Sequence, residues 1–219
     1  MYSRAPFVFF SLLLLTLPAA ADLVIGRVVD PNGIGVAGVN LDAYDLSTGN
    51  QVTLLNGGTD GNGFFSTTIA AGVYRIVFQP PTPPVTTLVV REVNNVVVTG
   101  TKDMGVIVLT RGVSLGGRSV NASGFPVANV DVDVVDQATG LQVPLQGDHT
   151  DAFGNFLIAV PKTPIEVQFK TAGLAPVLAP RAMELTLTVD TSLGNVVLRP
   201  GFFLAGTVRR SSGSSVEGA

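Results

Sequence analysis

Apolar and polar residues alternate with a period of two along most of this chain. Between residues 39 and 45 the apolar side chains of Val39, Leu41 and Ala43 alternate with more polar ones, and residues 130–136 largely repeat the pattern. In an extended strand this period places apolar side chains on one face and polar ones on the other. Each segment is therefore predicted to be an antiparallel strand with one buried face. After residue 21 no stretch keeps apolar residues at helical spacing for three turns, which predicts an all-β protein.

Similar alternating or Val-rich segments predict seven or eight short strands in each half of the chain. Between them lie clusters of Gly, Asn, Asp and Pro, which close hairpins because Gly adopts positive φ and Asx side chains bond nearby backbone amides. Many short strands with such turns and no intervening helix favour a two-sheet sandwich. The predicted strands are 23–29, 39–44, 51–55, 64–69, 73–78, 86–91, 93–99 and 104–109, then 115–120, 130–135, 141–145, 155–160, 165–169, 183–189 and 195–198.

The two halves of the chain are copies of one unit. Residues 24–78 align with residues 115–169 without a gap at a constant offset of 117 − 26 = 91, and 19 of the 55 aligned pairs are identical. The identities fall where a turn or a core would restrict the choice of residue, so what repeats is scaffold. A repeated fold without a repeated reactive constellation is typical of an array of modules rather than of a catalyst.

The ends of the copies predict the domain limits. Residues 109–112 align with 198–201, so almost no linker separates the units, and residues 206–216 match 117–127. We therefore expect a first β-sandwich over 22–111, a second over 112–200, and the start of an incomplete third repeat over 201–219. Its opening strand, 202–208, would be an aggregation-prone edge if nothing covered it.

Residues 1–21 are predicted to be a secretory signal peptide. The charge of Arg4 precedes an apolar run over residues 7–17, and Ala19 and Ala21 supply the small side chains that signal peptidase accepts. The run is shorter than the roughly 20 residues of a membrane span. We expect cleavage after Ala21 and a secreted, periplasmic or cell-surface product; a retained N-terminal anchor is the alternative.

The composition limits the cellular environment and the classes of partner that can be expected. The chain has no cysteine, which excludes disulfides and thiolate metal sites and favours a bacterial source for an exported protein. The net charge is −3 and the basic residues are scattered, so no nucleic-acid partner is expected. No apolar stretch after the signal peptide approaches membrane length, so no membrane association is expected after cleavage.

Two signatures recur in both copies: Gly26, Gly33, Val36, Asp60, Gly63 and Phe65 in the first, and Gly117, Gly124, Val127, Asp151, Gly154 and Phe156 in the second. They resemble the signatures of carboxypeptidase regulatory-like domains. The resemblance covers nearly all of residues 23–200, with departures at Asn121, which replaces an acidic residue, and at Pro164. It implies a transthyretin-like (prealbumin-like), Greek-key sandwich of seven antiparallel strands, a carbohydrate-binding-like fold without catalytic activity of its own.

Asp60 and Asn62 are candidate calcium ligands, since oxygen ligands at alternate positions suit calcium. In the second copy, however, Phe153 stands where Asn62 would coordinate, and two ligands fall short of the roughly 6 to 8 oxygens that calcium takes. A turn-forming role for Asp60 is therefore preferred. The acids Asp131, Asp133 and Asp136 are interpreted as a solvated strand face.

No catalytic residue, metal site or cofactor is predicted. His149 is the only histidine, so no histidine-based zinc site is expected, and no serine lies in a nucleophile-elbow pattern. The sequence predicts a non-catalytic exported module that serves as spacer, adhesive or accessory unit of a cell-surface or extracellular assembly, with an unknown protein or polysaccharide as partner. The alternative is a carbohydrate- or calcium-binding accessory module of a secreted hydrolase.

Overall fold

The computed structural model describes residues 21–83, 85–171, 173, 177–202 and 206–212. All the regular structure in these residues is β-strand, as the alternating pattern predicts. Among the same residues there is no helix with the length and hydropathy of a membrane span. Residues 1–20, which carry most of the predicted signal peptide, lie outside the described part of the chain.

The described residues form fourteen strands, which fall into two sets of seven. The first set is β1 (Ala21–Val29), β2 (Asn40–Asp45), β3 (Gln51–Val52), β4 (Phe64–Ala70), β5 (Gly72–Gln79), β6 (Arg91–Val98) and β7 (Lys102–Val108). The second set is β8 (Val113–Asn121), β9 (Asp131–Asp136), β10 (Gln142–Val143), β11 (Asn155–Val160), β12 (Pro164–Lys170), β13 (Arg181–Thr186) and β14 (Thr191–Leu198).

Each set forms the two sheets of one sandwich, with the same topology in both. The first sandwich has sheets of order β4-β1-β7 and β3-β2-β5-β6, and the second has sheets of order β11-β8-β14 and β10-β9-β12-β13. The predicted tandem of seven-stranded sandwiches is confirmed. One pair in each differs from the antiparallel expectation: the first and last strands, β1 with β7 and β8 with β14, are parallel. Alternation of side chains cannot reveal this, because it is the same in both pairings.

Each sandwich has its own apolar core between its two sheets. In the first, Phe65 of β4 faces Phe78 of β5 with ring centroids 5.6 Å apart, and in the second Phe156 faces Phe169 at 5.4 Å. All four side chains are at most 4% exposed. The expected burial of Phe65 and Phe156 at equivalent points is therefore confirmed, and both pairs join one sheet to the other.

The structure shortens or removes three of the predicted strands. The segments predicted over 51–55 and 141–145 pair for only two residues each. Of the segment predicted over 86–91, only Arg91 lies in a strand, as the first residue of β6, and Leu88 makes an isolated bridge to Arg111. This segment follows the proline-rich residues 80–84 and lies where the chain passes between the sandwiches, so its backbone bonds the connecting residues instead of a sheet.

The opening strand predicted for a third unit lies only partly within the described residues. Residues 202 and 206–208 are not in a strand, and residues 203–205 are outside the described part. Phe202 is 96% exposed, whereas Val113, its counterpart at the start of the second unit, is buried. Among the described residues, nothing covers the Phe202 ring in the way that the second core covers Val113.

Candidate functional site

The second signature closes the hairpin that leads into β4 or β11. Oδ1 of Asp60 accepts hydrogen bonds from the backbone N–H groups of Asn62 (2.9 Å) and Phe64 (2.8 Å). In the second sandwich Asp151 Oδ1 accepts equivalent bonds from Phe153 and Asn155, at 2.9 and 2.8 Å. These backbone donors hold the pKa of Asp151 below its ordinary value, the Asn155 N–H having the largest effect. Both aspartates thus serve the fold of the turn.

The first signature forms the same kind of turn after β1 and β8. Oδ1 of Asp30 accepts from the N–H groups of Asn32 and Ile34, both at 2.9 Å. The amide oxygen of Asn121 accepts from Ser123 and Phe125 at 3.0 Å each. The departure at Asn121 is therefore conservative, because the turn needs a side-chain oxygen and not a charge. The first turn uses its charge as well, since Arg111 forms an ion pair with Asp30 at 3.2 Å.

A guanidinium group lies beside each of the second-signature turns. Arg27 Nε donates to the backbone oxygen of Asn62 at 3.0 Å, and Arg118 Nε donates to that of Phe153 at 2.9 Å. In the first sandwich this cation adjoins the calcium candidates Asp60 and Asn62, where it opposes the binding of a second cation. Calcium at this loop stays a prediction without support from the geometry.

The remaining signature residues pack tightly against backbone or rings. A Cβ on Gly26 would lie 2.6 Å from Phe65 Cζ, and one on Gly117 would lie 2.9 Å from the Phe156 ring. Gly63 and Gly154 have φ of 82° and 78°, which confirms the positive φ expected there. Val36 and Val127 donate their N–H groups to the β1 and β8 backbone at Val28 and Ser119. Gly33 and Gly124 complete the first-signature turns at φ of 81° and 84°.

The connection between the sandwiches is a packed joint, formed by residues 87–89 and 110–113. Leu88 is buried in the core of the first sandwich, and the next residue, Val89, is buried in the core of the second. Val89 is only 8% exposed, although it precedes the last two strands of the first sandwich. Neighbouring side chains in an extended segment point in opposite directions, so this one segment contributes to both cores.

Backbone contacts hold the joint closed. Val89 N donates to Thr110 O at 2.9 Å, and Gly112 N donates to Thr87 O at 2.8 Å. A Cβ on Gly112 would lie 2.1 Å from the backbone oxygen of Val160 and 2.8 Å from Val89 Cγ2. Gly112 therefore lets β11 of the second sandwich and the 87–89 segment of the first approach closely, so the connection is packed and is not a free linker.

The end of the second sandwich repeats this arrangement. Ala179 N donates to Arg199 O at 2.8 Å, and Gly201 N donates to Val177 O at 3.0 Å. Leu178, like Leu88, is buried in the core of its own sandwich. A Cβ on Gly201 would lie 2.8 Å from Ala179 N. The joint is thus a property of the repeat and not of one boundary.

Sequence reasoning found the turn residues and missed the joint. The Val-rich segment 86–91 has the composition of a strand, and its role depends on contacts with residues 110–113 and with the second sandwich. The signal that points to it is the near absence of a linker: residues 109–112 of the first copy run directly into the opening strand of the next.

No family model matches this sequence, and no curated protein matches it. Solved structures to which it is similar include the TIE protein of Bacillus anthracis, at 12% identity and a TM-score of 0.36, covering 82% of this chain and 34% of that one. The shaft pilin SpaA of Lactobacillus rhamnosus GG matches at 9% identity and a TM-score of 0.36, over 85% of this chain and 100% of the pilin. A streptococcal ancillary pilin matches at 14% identity and a TM-score of 0.34, over 83% and 62% of the two chains. The chain spans about a third of the length of the TIE protein chain.

Proposed function

We propose that this protein is a non-catalytic, exported mechanical spacer of a cell-surface or extracellular assembly. The observation that carries the proposal is the parallel pairing of the first and last strands in each sandwich. Because these strands run in the same direction, the chain enters a sandwich at one end of the strand pair and leaves at the other. A strand of nine residues spans about 30 Å, so each unit separates its two attachment points by roughly its own length.

The joint extends this geometry from one sandwich to the next. Val89 is buried in the second core, and Gly112 packs against Val160 of the second sandwich. Tension applied to the chain therefore passes from the end of β7 into β8 without first straightening a linker. This is the property that a spacer needs, and it requires no ligand.

The hydrogen bonds between the parallel strands resist tension in shear. The register joins β1 to β7 at five residue pairs, and β8 to β14 at six. Pulling the two ends of the chain apart slides these strands along each other, so all the bonds of a pair must break together. In a pull that separates the strands from one end, the bonds break in turn.

We place the limits of the sandwiches at 22–111 and 112–200, with export directed by residues 1–21. The signature residues fill the same structural roles in each copy, which supports a duplicated unit. The proposal assigns both units to carboxypeptidase regulatory-like domains because their signatures resemble those of that family. The partner proposed is a protein or polysaccharide at the cell surface, with no role for nucleic acid or for a membrane after cleavage.

Single-molecule pulling tests the proposed function. Since the chain has no cysteine, handles can be attached at introduced ones. Asp22→Cys with Arg210→Cys loads both sandwiches in shear, and Asp22→Cys with Thr101→Cys separates β1 from β7 at their adjacent starts. We expect a several-fold higher unfolding force in the first geometry. Equal forces in the two geometries would contradict a mechanical role.

A further inference from the structure

Three side chains of the types that ligate metals converge on the outer face of the second sandwich. They are Asp131, the first residue of β9, and Asp148 and His149, which precede the second-signature turn. Each offers one ligand atom, and these atoms all lie within 4.8 Å of one another. The two aspartates are half-buried and the imidazole is exposed, so an ion can reach the cluster from solvent.

The backbone around the cluster is held in place by hydrogen bonds. Asp131 and His149 form an isolated antiparallel bridge, and Val132 N donates to Asp148 O at 2.6 Å. On the other side, Thr150 N donates to Val130 O at 3.0 Å. The Cα positions of the three ligands are thereby fixed, and only side-chain rotations would be needed to close them on one ion.

The lysine opposite Asp131 in the register of β12 with β9, Lys170, is already paired. Lys170 forms an ion pair with Asp133, and the Gln142 amide also donates to Asp133. Lys170 therefore balances the charge of Asp133, and the carboxylates of Asp131 and Asp148 are left to a different cation. Within the cluster His149 Nδ1 lies 2.8 Å from Asp148 Oδ1, and Asp131 supplies the third ligand atom.

The first sandwich has the same backbone frame without the ligands. At the positions of Asp131, Asp148 and His149 it has Asn40, Gly57 and Gly58, at the offset of 91. Asn40 and Gly58 form the corresponding bridge, and the Leu41 N–H donates to Gly57 O at 2.7 Å. The fold is therefore built without any of the three side chains, so folding does not account for their presence in the second unit.

We propose that Asp131, Asp148 and His149 bind a divalent transition-metal cation such as Zn²⁺. One imidazole nitrogen and two carboxylate oxygens suit zinc and its neighbours, whereas calcium and magnesium take oxygen ligands alone. Water would complete the coordination, since the site faces solvent. The sequence predicted only that Asp131 belongs to a solvated strand face and that His149, as the single histidine, forms no zinc site. Asp131 and His149 lie 18 residues apart and meet only through the bridge. This site stands independently of the spacer function.

Calorimetric titration of the full chain with ZnCl₂ and with CaCl₂ tests the proposal. We expect one zinc per chain with micromolar affinity, and calcium binding at least about tenfold weaker. His149→Ala and Asp131→Asn should each weaken zinc binding about tenfold or more, while Asp42→Asn on the first sandwich leaves it unchanged. Because His149 is the only histidine, its ring proton signals can be identified in NMR spectra. They should shift when zinc is added to the wild type, and they should not shift in a variant that keeps His149 but does not bind zinc.

The first sandwich provides a gain-of-function test. The variant Asn40→Asp, Gly57→Asp, Gly58→His reproduces the ligand set on the matching frame, and a Cβ at residue 57 or 58 would come no closer than 3.0 Å to another atom. If its circular dichroism matches that of the wild type, we expect two zinc ions per chain. The proposal is overturned if the wild type shows no saturable zinc binding, if either ligand variant binds as the wild type does, if calcium binds equally well, or if a folded transplant stays at one ion.

Discussion

Phe65→Ala should destabilise the first sandwich by about 3–5 kcal/mol, the cost of replacing a buried phenylalanine by alanine. The ring is 4% exposed and contacts Phe78 of the opposite sheet. It also fills the space that a Cβ on Gly26 would otherwise take, 2.6 Å from Phe65 Cζ. Removing the ring thus opens a cavity between the sheets, where the backbone of β1 cannot easily move inward.

Denaturant titration monitored by circular dichroism measures this loss. Phe64→Ala is the matched control, because Phe64 is the neighbouring residue on the same strand and is 53% exposed on the outer face. It should cost far less, chiefly the stacking of Arg27 over its ring. The two sandwiches should unfold as separate transitions, and a change below about 1 kcal/mol for Phe65→Ala would show that the assigned inner face is wrong.

Gly63→Ala should be the second most damaging change. Gly63 has φ of 82°, and a Cβ there would lie 2.2 Å from Val28 O and 2.8 Å from Val36 N. An alanine would meet both the conformational penalty of positive φ, about 1–2 kcal/mol, and a collision with two backbone atoms that the turn itself fixes. We expect a total loss above about 3 kcal/mol.

Gly33→Ala separates the two contributions. Gly33 has nearly the same φ, 81°, but nothing lies within 4 Å of its ideal Cβ. It should therefore cost only the conformational penalty, about 1–2 kcal/mol. Equal losses for the two variants in thermal or denaturant unfolding would mean that the close approach of the turn to β1 does not matter for stability.

The sequence predicted the sandwiches well because their determinants are local. Alternation marked the inner faces, and Asp60 and Asp151 marked turns whose hydrogen bonds span only two to four residues. Even the departure at Asn121 followed from local chemistry, since an amide oxygen accepts the same two bonds. A repeated pattern of this kind can be interpreted from one chain, because comparing the two copies shows which residues both of them keep.

The features that sequence reasoning missed depend on distant partners. Val89 lies in a segment whose composition predicts a strand of the first sandwich, but its side chain is buried in the second core. Asp131 and His149 are separated along the chain and are brought together by a bridge between β9 and the segment before the turn. The parallel pairing of β1 with β7 joins the first strand of a unit to the last. The periodicity within one segment gives no information about contacts between residues that are far apart in the sequence.

The distance between spin labels on the two sandwiches tests the packed joint most directly. Labels at Thr48→Cys and Ala138→Cys lie on exposed turns of the first and second sandwich, and Thr48→Cys with Thr101→Cys provides a reference within one sandwich. Val89→Asp, which would place a charge in the second core, should loosen the joint. We predict that pulsed electron paramagnetic resonance will show one narrow distance distribution between the sandwiches, as narrow as the reference, that broadens in the Val89→Asp chain. A broad or multiple distribution in the unaltered joint, with the reference still narrow, would contradict the account.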